Sequence, residues 1–105
     1  MDMAEYQRLA WRTVPQLSSD DLRTMALFGL TGEVGELVEK VKKQRFHGHV
    51  VTTAQLAEEL GDILWYVAAA TTALGLNLEI VAQANIAKLR QRYPEQFDDE
   101  LSRER

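Results

Sequence analysis

Two short acidic patterns hold the chemistry open to this chain: Glu33-Val34-Gly35-Glu36 and Glu59-Leu60-Gly61-Asp62. Each places two carboxylates three residues apart in a run of helical character. That spacing puts both on one helix face, with Cβ atoms roughly 5–6 Å apart. Leu30, Val34, Leu37 and Val38 surround the first pair, and Leu60, Ile63, Leu64 and Trp65 the second. If the two helices pack antiparallel, four carboxylates converge. Two unit charges about 6 Å apart at an effective dielectric near 20 repel by roughly 3 kcal/mol. Such a cluster needs protons, basic partners or a divalent cation. With no cysteine in the chain and no histidine on either helix, Glu33, Glu36, Glu59 and Asp62 offer oxygen ligands only. That donor set suits Mg²⁺, with Mn²⁺ as a substitute. It argues against a di-iron site, where helical bundles use Glu-x-x-His. The competing expectation is a solvated acidic face, bridged to neighbours such as Lys40.

The elements that must position these groups are helices. Asp2 and Glu5 have capping-box spacing, and Tyr6, Leu9, Ala10 and Val14 follow at helical intervals until Pro15. The pair Ser18-Ser19 offers N-caps for a second helix from about Asp20 to about Arg45. Lys40, Lys42, Lys43 and Arg45 near its end suit the negative pole of the helix dipole. Gly29, Gly32 and Gly35 each cost about 1 kcal/mol relative to alanine in a helix, which marks close approach of another backbone or of a ligand. The segment from Phe46 to Val51 reads as a loop. Its His47 and His49 lack a third ligand for zinc and are expected to be loop residues. Thr52 and Gln55 open a third helix that runs to Gly75 and is apolar on all sides from Ile63 to Ala70, so it must be covered all round. Asn77 caps a fourth helix with Leu78, Val81, Ala82, Asn85, Ile86 and Leu89 as its inner face, ending before Pro94. The fold class expected is all-α: one compact bundle of about four helices spanning 1–105, completed by homo-oligomerisation, with a frayed polar tail from about 95.

Composition bounds the function. A chain of 105 residues, 46% hydrophobic and 27% charged, is an ordinary globular domain. Its net charge of −4, with a pI near 5.1 and no basic block, makes it a poor partner for nucleic acid. A metal would still let it hold a small anion. The N-terminus has no signal-peptide pattern and the longest apolar run is too short to span a bilayer, so a cytoplasmic protein without a membrane partner is expected.

The residues Gly32-Glu33-Val34-Gly35-Glu36-Leu37, then Glu58-Glu59-Leu60-Gly61-Asp62-Ile63-Leu64-Trp65-Tyr66, then Asn85-Ile86-Ala87-Lys88-Leu89 with Arg92-Tyr93-Pro94, resemble the MazG-like nucleotide pyrophosphohydrolases of the all-α NTP pyrophosphatase superfamily. The likeness covers the chain from the first helix to Pro94. It implies Mg²⁺-dependent cleavage between the α and β phosphates of a nucleoside triphosphate, yielding a monophosphate and pyrophosphate, in the service of clearing noncanonical or surplus nucleotides. It further implies a homodimer or homotetramer, with the base pocket shared between subunits. Glu33, Glu36, Glu59 and Asp62 match the family's metal ligands, and Asn85 and Lys88 match positions near the nucleotide. Some relatives carry an additional acid just before the first motif glutamate; here that position is Gly32, leaving Glu36 or Glu33 as the candidate general base.

Helical spacing supports this independently. Lys88 and Arg92 are four apart and share a face with Asn85, so cations and an amide can meet phosphate and sugar or base together. Lys40 and Lys43 lie one and two turns past Glu36, within reach of a polyphosphate, with pairing to surface carboxylates such as Glu39 as the competing expectation. Trp65 and Tyr66 read as core or interface residues, Trp11 and Phe28 as possible base contacts. The alternative function is a non-catalytic helical module that binds nucleotide or protein.

Overall fold

Helix boundaries follow the capping residues. A computed structural model describes residues 1–104 and contains α1 (Met3–Trp11), α2 (Ser19–Phe46), α3 (Thr53–Ala73), α4 (Leu78–Arg92) and α5 (Asp99–Arg103), with no strand among the described residues. Asp2 accepts a hydrogen bond from the Glu5 amide at 2.8 Å, and Ser18 accepts one from Asp21 at 3.2 Å. Thr52 and Gln55 close a reciprocal capping box, each side chain accepting from the other's amide. Asn77 caps α4 through the amides of Glu79 and Ile80. Gly75, at φ 74°, ends α3 in the left-handed conformation glycine favours. The all-α expectation holds.

The tail departs from expectation. Asp98 accepts from the Glu100 and Leu101 amides and starts α5, while the rings of Tyr93 and Phe97 pack 5.1 Å apart. A local cap and one aromatic pair therefore order part of the segment expected to fray. Arg105 lies outside the described residues.

Helices α2 and α3 run antiparallel, meeting where Gly29 faces Tyr66, where Lys40 faces Glu59, and where Gln44 Nε2 donates to the Val51 carbonyl at 3.3 Å. Helix α1 lies across α3. The buried residues are small: Ala10, Ala68 and Leu78 form one cluster with Met3, Tyr6, Trp65 and Val67 against it, and Ala26, Ala69 and Ala70 another beside Val14 and Trp65. Only the alanine end of the apolar α3 run is buried; Ile63 to Val67 remain partly exposed.

One side chain fixes the corner between α3 and α4. Gln7 Nε2 donates to Thr72 Oγ1 at 2.8 Å and to the Leu76 carbonyl at 2.9 Å, and Gln7 Oε1 accepts from the Leu78 amide at 2.7 Å. Around it the chain bends, so that α4 leaves α3 at 106°. The expected inner face of α4 is consequently uncovered within one chain. Leu78 alone of that set is buried, while Val81, Ile86 and Leu89 are 40–46% exposed. Val34, Val38 and Val41 on α2 and Leu60 on α3 are likewise open. The accessible surface is 7867 Å², against about 6,000 Å² for a compact monomer of this mass. The radius of gyration is 16.9 Å, against about 13 Å for a compact domain of this length.

Candidate metal centre

The α2–α3 seam is built from residues one helical turn apart. On α2 they are Gly29, Glu33, Glu36, Lys40 and Lys43; on α3, running the other way, they are Tyr66, Asp62, Glu59 and Gln55. Antiparallel packing then sets like against like, and Glu33, Glu59 and Asp62 each bring one carboxylate oxygen to within 4.8 Å of the others. Glu59 is only 9% exposed, although its neighbour Leu60 is 55% exposed. A buried carboxylate beside an exposed leucine inverts the usual preference. The carboxylate, and not the leucine, is thus the side chain that α3 turns into the seam with α2.

The electrostatics are those of a cluster short of positive charge. Glu59 Oε2 and Glu33 Oε2 are buried and have no hydrogen-bond partner. A single cation compensates, Lys40, whose Nζ lies 3.5 Å from Glu59 Oε1. Desolvation pushes the Glu33 carboxyl above the ordinary glutamate range, and the charges of Glu36, Asp62 and Glu59, with a hydrogen bond to Glu36, push it further. Tyr6, reaching over from α1, has its phenol raised by burial and then by the negative charge of Asp62.

A cavity of about 390 Å³ opens beside the carboxylates, lined by Thr13, Glu33, Asp62, Trp65 and Tyr66. Its walls are held in place. Trp65 Nε1 donates to Thr13 Oγ1 at 2.7 Å, and that hydroxyl donates to the Ala10 carbonyl at 2.7 Å. Trp65 and Tyr66 meet edge-to-face with centroids 4.9 Å apart. The Tyr66 ring lies so close to Gly29 that no side chain fits there, whereas Gly32 and Gly35 face open space. Of the three glycines, Gly29 is the one occupied by close packing.

The sequence profile described as the MazG nucleotide pyrophosphohydrolase domain matches residues 23–97. This chain belongs to that family. MazG domains are in general metal-dependent pyrophosphohydrolases acting on nucleoside triphosphates. The match begins within α2, so α1 and the turn after it, which supply Tyr6 and Thr13 to the site, lie outside it. The chain is also 44% identical over 68 residues to the Gene 37 protein of Mycobacterium phage L5, an overlap of 61% of this chain and 60% of that protein. It therefore spans less than two thirds of the relative's length. No solved structure matches.

The MazG site residues suit a hard divalent ion on the structure's own terms. Their donors are all carboxylate oxygens, two of them buried without partners, and three side chains from two helices already converge. Glu33, Glu59 and Asp62 would hold the ion. Glu36 stands apart from that trio: it is exposed and interacts with Glu33.

The other expected site residues are placed as follows. Lys40 is paired with Glu59 instead of standing free for substrate. Asn85 and Lys88 are exposed and Arg92 half-buried on α4, and none of the three lines the cavity beside the carboxylates. Trp11 lines a separate recess with Ala4, Gln7, Arg8 and Thr72, and Phe28 is 74% exposed, so neither lines the carboxylate cavity of its own chain. His47 caps the C-terminus of α2. Trp65, expected in core or interface, packs against both core clusters, and with Tyr66 it also forms the cavity wall. Their spacing carried the signal, since residues three and four after Asp62 share its helix face. Tyr6 and Thr13 had no such signal, because α1 and the turn after it reach the site only through tertiary packing.

Proposed function

We propose that this protein is a Mg²⁺-dependent nucleoside triphosphate pyrophosphohydrolase that cleaves between the α and β phosphates and clears noncanonical or surplus nucleotides. The observation that carries the reading is the convergence of Glu33, Glu59 and Asp62 within 4.8 Å, with buried unpartnered oxygens, beside an aromatic-walled cavity. Mg²⁺, when bound, polarises a phosphoryl oxygen and offsets charge on the departing group; Mn²⁺ serves in its place. Trp65 and Tyr66 offer apolar surface to the base. Glu36, exposed and interacting with Glu33, accepts a proton from the attacking water as its oxygen bonds to the α phosphorus. The bond from the α phosphorus to the bridging oxygen breaks, and pyrophosphate leaves with that oxygen. Water is consumed and a monophosphate remains. The proton then passes from Glu36, which is exposed, to solvent.

In this reading residues 1–105 are one catalytic domain that works as a homodimer or homotetramer. The chain exposes about 1,900 Å² more than a compact monomer of its mass. Burying that excess on each of two chains gives an interface of the size found in obligate homodimers. Oligomerisation covers the open apolar faces of α2 and α4 and brings Asn85, Lys88 and Arg92 to the nucleotide.

The test is product identity. Purified protein with Mg²⁺ should release pyrophosphate and a monophosphate, and no orthophosphate, from at least one member of a nucleoside triphosphate panel. Calorimetric binding of nucleotide with no turnover across the panel would instead establish a non-catalytic binding module.

A further inference from the structure

The α2–α3 seam changes character along its length. Gly29 and Tyr66 meet at one end and the carboxylates occupy the middle. At the other end lies a recess of about 190 Å³ lined by Lys40, Lys43, His49, Val50, Val51 and Gln55. Lys40 belongs to both middle and end, because it lines the recess while its Nζ approaches Glu59. The basic recess therefore abuts the acidic cluster, one side chain away.

Backbone geometry holds His49 there. Gly48 takes φ +70°, the left-handed turn glycine favours after a helix. The chain doubles back, and the amides of His47 and His49 both donate to the Lys43 carbonyl, at 3.0 and 3.2 Å. Gln44 ties the far side of the loop to α2 through the Val51 carbonyl. Helix α3 begins at this wall, so its positive dipole end adds to the two lysines. Among the described residues Lys43 pairs with Glu39 on its own helix, at 3.9 Å with both groups about half exposed, a pairing that contributes little and is easily exchanged.

We propose that this recess seats the terminal phosphate of the bound nucleotide and, after cleavage, the pyrophosphate released from it. The nucleotide then lies along the seam, base against Trp65 and Tyr66 and phosphate chain passing the carboxylates toward Lys43 and His49. The order aromatic, acidic, basic along the seam matches the order base, metal-binding phosphates, terminal phosphate along the ligand. Lysine and imidazole N–H groups donate to phosphate oxygens there. Lys40 exchanges Glu59 for phosphate once a cation takes over that carboxylate. This assignment rests on the nucleotide reading above.

The experiment is titration calorimetry with Mn²⁺ at saturation, using tripolyphosphate, pyrophosphate and a nucleoside monophosphate as probes. Lys43→Met and His49→Gln should each weaken tripolyphosphate and pyrophosphate about tenfold, the scale of a hydrogen bond to a charged group, and leave the monophosphate unchanged. Unfolding temperatures should match wild type, since both side chains are exposed. Equal loss for all three probes, or no loss in the double variant, overturns the assignment. Triphosphate hydrolysis with pyrophosphate affinity indifferent to both substitutions would remove the recess and leave the activity. Pyrophosphate binding that depends on Lys43 and His49, without hydrolysis of any nucleotide, would do the reverse.

Discussion

The seam between α2 and α3 and the arm formed by α4 were equally suggestive as sequence, yet the fold treats them differently. In the seam, two long antiparallel helices face each other turn by turn. Acid groups at one-turn spacing on each must therefore meet, and they do so within one chain. The α4 arm carries Asn85, Lys88 and Arg92 at equally good helical spacing. The Gln7 staple sends that helix off at 106°, and those side chains do not line the carboxylate cavity of their own chain. Helical periodicity tells which residues share a face. It does not tell what the face meets.

The most severe way to break the comparison is to remove the seam's charge. Asp62→Asn and Glu59→Gln should each lower metal-dependent turnover by at least about 100-fold, as loss of groups that hold a metal does. The rise in unfolding temperature on adding Mg²⁺ should vanish with it. Metal-free Asp62→Asn should unfold no lower than wild type, because repulsion is relieved; a clear drop would make Asp62 a structural hydrogen-bond acceptor instead.

Substitution in the arm should act more mildly and on binding. Lys88→Ala with Arg92→Ala should raise KM about tenfold by removing charge-assisted phosphate contacts, with the Mg²⁺-induced stabilisation intact. Mixed oligomers sharpen the contrast. Co-expressed Glu59→Gln and Lys88→Ala/Arg92→Ala chains should recover turnover if one subunit's arm completes another's seam, and neither variant alone should show it.

Packing inside the seam gives a third test. Gly29→Ala should cost about 1–3 kcal/mol, since a methyl group there collides with the Tyr66 ring. Gly32→Ala, facing open space in the single chain, should raise helix stability by up to about 1 kcal/mol. A large loss at Gly32, read by chemical denaturation, would show that a second chain packs on that face.

The smallest effect is in pH. The Glu33 carboxyl has its proton affinity raised in the folded chain, so the native state binds more protons than the unfolded one. Metal-free stability should accordingly fall as pH rises from the ordinary glutamate value through the raised one. Glu33→Gln should flatten that slope in thermal melts across the window. A slope unchanged by the substitution would assign it to another group.

By itself the sequence determined the helices, because caps such as Asp2, Ser18, Thr52 and Asn77 act on amides two or three residues away and Gly75 ends α3 locally. It also determined that two acidic pairs occupy single faces, and that oxygen would be their only donor. The short α5 was not foreseen, because Asp98 caps only five residues within a polar stretch. Tertiary structure alone decided which groups meet. It put Lys40 on Glu59, made walls of Trp65 and Tyr66, brought in Tyr6 from α1 and Thr13 from the turn after it, and turned α4 outward. The reason is range: caps and periodicity act within a turn or two of one helix, whereas the partners of a side chain across a seam depend on register and crossing angle, set by contacts as far apart as Gln7 and Leu78.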